Sequence, residues 1–574
     1  MAAELGLAIN IFQAFETCIK AYQFISVANN TDRDSNNFFS RLQWEHYRLL
    51  QWSKSTGLET GEPSEKLNWQ YATQLLGEQE TLLSSAAKVK MRYNLDVSEE
   101  QVPWSRQKED LKERYVSGFI ESLRRLRPEL YTQRTHTSKS KNGPIKRLRW
   151  ASVDKVQADR IVKDISELND RLEALLDSAD REWMRDSISD MLRDIISRCN
   201  NAGDIETIQS LINPKAVSSN DALAAAATLK QMRILMRKGT SGLSEMSLPE
   251  LRQLSYRRLK PCSPSQSLQY RELEVCKYDG VDMIVDWRTV PSATWNVVER
   301  HMQCLALILS KTDDPSFHTL PLLGLLAWQE QCRFGFVHKI PPRSKACNGT
   351  WHHKSLHAII SDHTMVSLTT RVDIAIQMAQ TILQFHTAGW LHKAIRSHNI
   401  IFLTSDSDNT VASLLRDPYL VGFDYARPDS KSGQELTELP DTPLLMDLYR
   451  HPKSRGIHRQ SYQKQFDLYG LGCLLLELAL WKPLVKIATL SHGIDIQEIL
   501  DATDSDNYDV QFPSFLNFEH NEKLLMLVEH SAGFKFCEAV KTCFSAESLT
   551  GGTGTNTSLG AQKQVLEHLR RCKL

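Results

Sequence analysis

Hydrophobic side chains recur at steps of three and four along residues 1–240, and this spacing constrains the fold more than any other feature. Such spacing places apolar side chains on one face of an amphipathic helix. Similar stripes recur near residues 38–52, 161–175 and 188–195, and no segment here alternates with the period of two that is typical of strands. The sequence therefore predicts an all-α helical bundle. The stripe at the N-terminus comprises Leu5, Ile9, Phe12, Phe15 and Ile19.

The composition argues against several classes of protein. Lys and Arg total 69, Asp and Glu also total 69, and 41% of the 574 residues are apolar. These values disfavour intrinsic disorder, and the charge balance gives no support for nucleic-acid binding. The 11 cysteines include no CxxC pair, and we expect neither a secretory signal nor a membrane span. We therefore expect a cytoplasmic protein of several domains with reduced thiols.

The pattern changes after residue 265. In VDMIVDWR, residues 281–288, apolar and charged side chains mostly alternate, which predicts a strand. Helical patterns return from Thr370. We therefore expect a small strand-containing lobe followed by a larger helical lobe, which is an α+β architecture.

The most informative motif lies in residues 371–403. The segment resembles the helix and catalytic loop of protein kinases, with the pattern H-R-D-L-x-x-x-N. His392 stands at the His of that pattern, Lys393 at the Arg, Ala394 at the Asp and Asn399 at the metal-binding Asn. The kinase Asp accepts the proton of the attacking hydroxyl, which a methyl group cannot do. The resemblance implies a pseudokinase, a kinase fold without its catalytic base.

A second motif, LVGFDYARP, lies at residues 420–428 and resembles the D-F-G segment of kinases. With Phe423 at the Phe, Gly422 replaces the metal-binding Asp and Asp424 replaces the Gly. A register shifted by one residue instead makes Asp424 the metal ligand. The first register matches more positions and implies that both carboxylates of phosphoryl transfer are absent, whereas the second implies an active atypical kinase.

Three further positions resemble the kinase segment D-x-x-x-x-G-x-x-x-x-E, namely Asp467, Gly472 and Glu477, and imply a preserved fold. Arg288 stands nearest to the nucleotide-binding Lys of kinases, with Glu299 as its candidate partner, but no glycine-rich loop precedes it. ATP without magnesium is therefore the one candidate cofactor, and we expect no metal site. The candidate nucleotide-binding residues are Arg288, Glu299, Asn399 and Asp424.

The N-terminal half resembles a second family, the HeLo or prion-inhibition and propagation domain of fungal incompatibility proteins. That resemblance implies a helical bundle whose released N-terminal helix permeabilises membranes. An acid-free loop, residues 131–150, could add attraction to anionic lipids through its cations. The residues that carry the resemblance are Phe38, Leu42, Trp52, Gly57, Leu58, Trp150, Asp154, Lys155, Asn169, Asp170, Leu172 and Leu175. The candidate membrane residues are the N-terminal stripe named above and the cations Lys139, Lys141, Lys146, Arg147 and Arg149.

We therefore predict a HeLo-like bundle at residues 1–180, a helical brace at 181–240 and a pseudokinase at 265–574. The layout is similar to that of the mixed-lineage kinase domain-like necroptosis effector. It implies cell-death or heterokaryon-incompatibility signalling, self-association on activation and inducible association with the plasma membrane. A cytosolic scaffold with neither activity is the remaining alternative.

Overall fold

The computed structural model describes fifteen stretches of the chain, and the contacts divide it into two compact units, residues 1–223 and 224–574. The candidate residues Leu5, Ile9 and the cations of the 131–150 loop lie outside the described residues. The described stretches are residues 11–22, 33–58, 64, 66–92, 155–211, 219–239, 252–261, 267–268, 271–341, 351–405, 415–429, 444–455, 459–492, 521–546 and 556–572.

The described residues of the first unit are helical, as the apolar spacing predicts. Residues 11–22 form α1, and the later helix α7 continues past residue 223 into the second unit. No helix among the described residues is long and apolar enough to cross a membrane. The further helices are α2 (Arg33–Ser55), α3 (Trp69–Arg92), α4 (Lys155–Ala174), α5 (Ser178–Arg198), α6 (Ala202–Leu211) and α7 (Ser219–Gly239).

Helices α1 to α5 share one apolar core. Phe15 and Ile19 of α1 are buried in it, and Phe12 packs against it while partly exposed. The Trp52 indole Nε1 of α2 donates a hydrogen bond of 2.9 Å to the carbonyl of Leu172 in α4. Of the candidate membrane residues that the structure describes, Phe15 and Ile19 therefore lie inside the bundle, and Phe12 packs against its core.

The second unit contains a seven-stranded sheet that begins at Gln253. Its strand order is β1-β6-β7-β5-β4-β2, and β3 pairs with β4. All the pairings are antiparallel except the parallel pair β1 and β6. The strands are β1 (Gln253–Leu254), β2 (Leu259–Pro261), β3 (Ser267–Leu268), β4 (Arg271–Tyr278), β5 (Val281–Thr289), β6 (Leu322–Trp328) and β7 (Arg333–Lys339).

Strand β5 confirms the strand predicted at 281–288, but its burial differs from simple alternation. All residues from Met283 to Trp287 are buried, because β5 lies between β4 and β7 with apolar clusters on both faces. Ile284 packs in one cluster, and Val285 in the other. Asp286 is therefore a buried carboxyl group and not the exposed one that a two-faced strand would give.

Two small sheets and eight helices complete the described part of the second unit. One sheet has the order β11-β10-β8, and β12 pairs with β9. The sequence TGGTGTNTSLG at residues 550–560 predicts a loop, but the last described helix begins at Asn556 and includes the end of that segment. These strands are β8 (Trp351–Ser355), β9 (Trp390–Leu391), β10 (Ile400–Ser405), β11 (Tyr419–Leu420) and β12 (Arg427–Pro428). The helices are α8 (Trp295–Leu309), α9 (Leu356–Ser361), α10 (Leu368–Ala388), α11 (Lys464–Leu480), α12 (Leu484–His492), α13 (Glu522–Ala532), α14 (Phe534–Phe544) and α15 (Asn556–Arg570).

Helix α11 is the centre of the helical part of this unit. Residues Phe466 to Ala479 are all buried, because α10, α13 and α14 pack around them. Gly472 permits the closest approach, since a Cβ atom there would lie 2.8 Å from Cε1 of Phe544. This packing fixes the start of α11 beneath the loop that follows β9.

Candidate functional site

One buried carboxylate accepts hydrogen bonds from the backbone of the loop after β9. Asp467, in the first turn of α11, is completely buried. Its Oδ2 accepts hydrogen bonds from the backbone N–H of His392 (2.8 Å) and from Nε2 of His386 (3.0 Å). Its Oδ1 accepts from the backbone N–H of Lys393 (2.8 Å) and from the Tyr462 hydroxyl (2.9 Å). The carboxylate therefore uses all four of its acceptor positions.

The charge of Asp467 is stabilised by these donors. Burial by itself raises the pKa of a carboxyl group. The hydrogen bond and charge of His386 oppose this effect, as do the charge and backbone N–H of His392, and together they hold the pKa of Asp467 below its ordinary value. His386 also contacts α15, because its Nδ1 lies 2.6 Å from Nε2 of Gln562. The support of the loop thus extends to the last described helix.

Within the loop, the two positions of greatest chemical interest are occupied by side chains that cannot transfer protons. Ala394 presents a methyl group, and its backbone carbonyl accepts a hydrogen bond of 2.8 Å from Nδ2 of Asn399. Asn399 is buried, and its Oδ1 has no hydrogen-bond partner among the described residues. One amide oxygen without a carboxylate beside it is a weak site for magnesium, which prefers several oxygen ligands.

The segment at residues 422–425 forms a short turn beside this loop. Gly422 has a φ of 91°, which favours glycine, and a 3-10 turn follows from Phe423 to Tyr425. The Phe423 ring packs edge-on against His392, with 4.6 Å between ring centroids, and against Phe385 at 5.3 Å. The structure thus places Phe423 against the loop, while the Asp424 side chain is half-buried.

Arg288 joins the sheet to this turn. Its Nη1 donates a hydrogen bond of 2.7 Å to the backbone carbonyl of Asp424, and its guanidinium lies 5.1 Å from the centroid of the Tyr425 ring. No hydrogen bond or ion pair in the described part of the chain joins Arg288 to Glu299. Of the four candidate nucleotide-binding residues, the structure therefore brings Arg288 to Asp424 but not to Glu299.

The cavity beside Phe423 is small. A cavity lined by Asp286, His338 and Phe423 has a volume of about 10 Å³, which is room for one water molecule. No group of three or more His, Cys, Asp or Glu side chains among the described residues could hold a metal ion. The donor set of the loop does not fit ATP with magnesium.

The candidate structural residue Glu477 lies further along α11 and is completely buried. Its Oε1 accepts a hydrogen bond of 2.7 Å from the Tyr449 hydroxyl and one of 3.0 Å from the backbone N–H of Leu484. Burial raises the pKa of Glu477 to about 7, against the lowering effect of these donors. This carboxyl group therefore joins the end of α11 to the start of α12 and titrates near neutral pH.

Four histidines lie close together in the sequence, at positions 352, 353, 357 and 363. His357 stacks on His398, with 3.8 Å between ring centroids, and burial lowers the pKa of His357 to about 4. His353 is buried in β8, and its pKa is also lowered to about 4. Neutral, stacked rings of this kind contribute to packing.

The first unit contains a buried polar network that links three helices to α1. Gln79 of α3 donates from Nε2 to the Tyr22 hydroxyl (2.7 Å) and to Oδ1 of Asn169 (3.1 Å). Asn169 donates in turn to the Glu45 side chain (2.8 Å), which pairs with Arg48 at 3.1 Å. The network therefore ties the end of α1 to the bundle.

Residues 5–209 match the family model HeLo, prion-inhibition and propagation. The match confirms the HeLo resemblance of the N-terminal region. The HeLo match includes every helix from α1 to α5 and most of α6, so the polar network lies within it. No curated protein matches the chain.

Sequence reasoning missed several residues that build these sites. His386, Tyr462 and Gln562 complete the support of the loop, and Gln79 completes the network of the HeLo region. Their partners lie far away in sequence, and buried polar residues carry no periodic signal of their own. In the sequence, the position of His386 near the end of an apolar helix indicates a buried polar residue.

Proposed function

We propose that the chain is a regulatory protein in which a non-catalytic kinase-like region controls a membrane-active HeLo bundle. HeLo domains are associated with fungal cell death and incompatibility signalling. The kinase-like region would receive a signal, and the bundle would respond by self-association at an anionic membrane. In this proposal the resting protein is cytoplasmic and reaches the plasma membrane on activation.

One observation carries the non-catalytic part of the proposal. The loop that resembles a kinase catalytic loop donates two backbone hydrogen bonds to Asp467, which also accepts from His386 and Tyr462, while the positions of the base and the metal ligand hold Ala394 and Gly422. A general base contributes roughly 10²- to 10⁴-fold to a rate, so its loss removes activity without removing the fold. A supported loop without carboxylates favours a role in conformation over a role in phosphoryl transfer.

The contacts of Arg288 support the same conclusion. Its guanidinium bonds the carbonyl of Asp424 and lies over Tyr425, which leaves it turned toward protein groups where a kinase lysine would contact phosphate. The contact of Phe423 with His392 supports the register in which Gly422 takes the place of the metal-binding Asp.

The catalytic part is tested with the full-length protein, ATP and magnesium. We expect no phosphate transfer to the protein itself or to a general substrate protein, and no rise in melting temperature on adding ATP with magnesium. Phosphate transfer that disappears in Asp424→Ala would instead establish the atypical kinase that uses the shifted register.

The membrane part requires that α1 leave the bundle, because Phe15 and Ile19 are buried in its core. Replacing Gln79 by Ala removes the hydrogen bonds to Tyr22 and Asn169 without changing any residue of α1. We expect full-length Gln79→Ala to release dye from anionic vesicles faster than the wild type. The control is Gln74→Ala, since Gln74 is exposed on the same helix and bonds only to exposed Glu78. If neither the wild type nor Gln79→Ala causes leakage at any ratio of protein to lipid, the membrane part is wrong.

A further inference from the structure

Lys393 has a largely buried side-chain amine. The residue is 9% exposed, and no hydrogen bond or ion pair to its Nζ is present among the residues that the structure describes. The nearest aromatic ring is that of Tyr462, whose centroid lies 5.6 Å from Nζ. A buried ammonium without a partner is expensive, so either the group loses its proton or an anion approaches it.

The carboxylate that acts on the Lys393 amine, that of Asp467, is already engaged. Both oxygens of Asp467 accept two hydrogen bonds each, and two of these donors are the backbone N–H groups of His392 and Lys393 itself. Asp447 pairs with Arg450 at 2.9 Å. No acceptor position of Asp467 is left for the ammonium group of Lys393.

The surroundings of Lys393 are strongly cationic. Burial has the largest effect on its amine, the charges of Arg427, Arg450 and Arg459 act in the same direction, and together they lower the pKa of Lys393 to about 7 against the opposing charge of Asp467. Near neutral pH, Lys393 is therefore a neutral amine in a large fraction of the protein molecules. A neutral amine is a nucleophile.

Lys393 also faces a small pocket. Its volume of about 20 Å³ holds one or two water molecules and admits a triatomic molecule, while a phosphate ester is too large to enter without movement of the walls. Its lining includes the polar side chains of Arg396, Tyr425, Tyr449, Arg450 and Tyr462, together with apolar residues such as Ile395 and Met446.

We propose that Lys393 is a carbamylation site, at which carbon dioxide bonds to the buried amine and the resulting carbamate is stabilised by the guanidinium groups of Arg396 and Arg450. The amine nitrogen attacks the carbon atom of carbon dioxide, a C–N bond forms, and one C=O electron pair moves to oxygen. One proton leaves the nitrogen for solvent, so the products are a carbamate anion and a proton, with no oxidation or reduction. The new anion places a planar carboxylate in a pocket lined by guanidinium groups, and this is the shape that guanidinium binds best.

The test uses the full-length protein in ¹³C-labelled bicarbonate, followed by trapping of carbamates with a trialkyloxonium salt and mass spectrometry of the peptides. We expect the trapped label at Lys393, rising roughly tenfold from about pH 6 to about pH 8 as the amine loses its proton. The matched control within the same molecule is Lys464, which is also buried but pairs with Asp429 at 3.5 Å, and we expect it to remain unlabelled.

The variant Lys393→Arg distinguishes a covalent carbamate site from a site that binds an anion without a covalent bond. Lys393→Arg keeps the positive charge and cannot form a carbamate, so it should abolish the label and any rise in melting temperature that bicarbonate gives the wild type. The proposal is overturned if Lys393 stays unlabelled while Lys393→Arg and the wild type melt alike, or if inorganic phosphate stabilises both proteins equally and no label forms, which would indicate a non-covalent anion site. Equal labelling of Lys464 would also overturn it, because the pocket would then confer no selectivity.

Discussion

A single carboxylate, Asp467, connects four donors from three parts of the second unit. Its oxygens accept from the loop backbone, from His386 of α10 and from Tyr462, which precedes α11. Removing a buried acceptor with this many donors costs more free energy of folding than the hydrogen bonds contribute when present, because each donor is left without a partner.

We therefore expect Asp467→Asn to destabilise the second unit by about 3 kcal/mol, since an amide offers one acceptor atom and directs its NH₂ group at existing donors. Urea unfolding measures the loss. The control is Asp362→Asn, because the Asp362 side chain is 58% exposed and pairs only loosely with Lys354 at 3.6 Å. Equal stabilities for the two variants would show that the hydrogen bonds of Asp467 do not support the loop.

Glu477 gives a prediction about pH. Its pKa is raised to about 7 in the folded protein against 4.5 in the unfolded chain, mainly by burial. As the pH rises, the unfolded chain releases this proton at a lower pH than the folded protein does. The contribution of the neutral acid to the free energy of unfolding is therefore fully present below pH 4.5 and is lost as the pH rises to about 7. Glu477→Gln remains neutral, so its stability relative to the wild type should rise by roughly 3 kcal/mol across this interval. Urea titrations at several pH values measure the difference, and a difference that does not vary with pH would contradict the prediction.

At the scale of elements, α11 depends on glycine where α14 crosses it. A Cβ at Gly472 would lie 2.8 Å from Phe544 and 3.0 Å from Cβ of Cys543, so one of the two helices must move. Gly472 belongs to the kinase-like spacing of the sequence, and the structure supplies a packing reason for a glycine at this position.

Gly472→Ala should therefore cost about 2 kcal/mol through overpacking. The matched control is Gly560→Ala in α15, where a Cβ would meet nothing within 4 Å. That change should be neutral or should stabilise by up to about 1 kcal/mol, because alanine favours helix more than glycine. Thermal unfolding distinguishes the two, and a stable Gly472→Ala would mean that α14 is not held against α11.

At the scale of the whole molecule, the sequence predicts much of the architecture and little of the site. Helical spacing predicts the bundle, and the alternation at 281–288 predicts β5, because both signals are local. The cation at Arg288 was also found, yet its contact with Asp424 was not, since 136 positions separate the two. The cationic pocket around Lys393 combines side chains from distant segments, and no local pattern indicates it.

The proposed non-catalytic role depends on the absence of two carboxylates, so restoring one of them should not restore phosphoryl transfer. Ala394→Asp replaces the missing base, but Gly422 still offers no metal ligand and its φ of 91° disfavours an aspartate there. We expect Ala394→Asp to show no phosphate transfer from ATP and no thermal stabilisation by ATP with magnesium. A measurable rate would show that the metal site is complete without Gly422 and that the loop is one substitution from activity.

The hydrogen bond between His386 and Gln562 also sets an order of events during synthesis. The two residues are 176 positions apart, and Gln562 lies in the last described helix. While a ribosome is still translating the segments between them, Asp467 can already hold His386, but His386 lacks its second partner. The nascent chain thus cannot finish assembling the support of its loop until α15 has emerged from the exit tunnel, which makes the final steps of folding of this unit late in translation or subsequent to it.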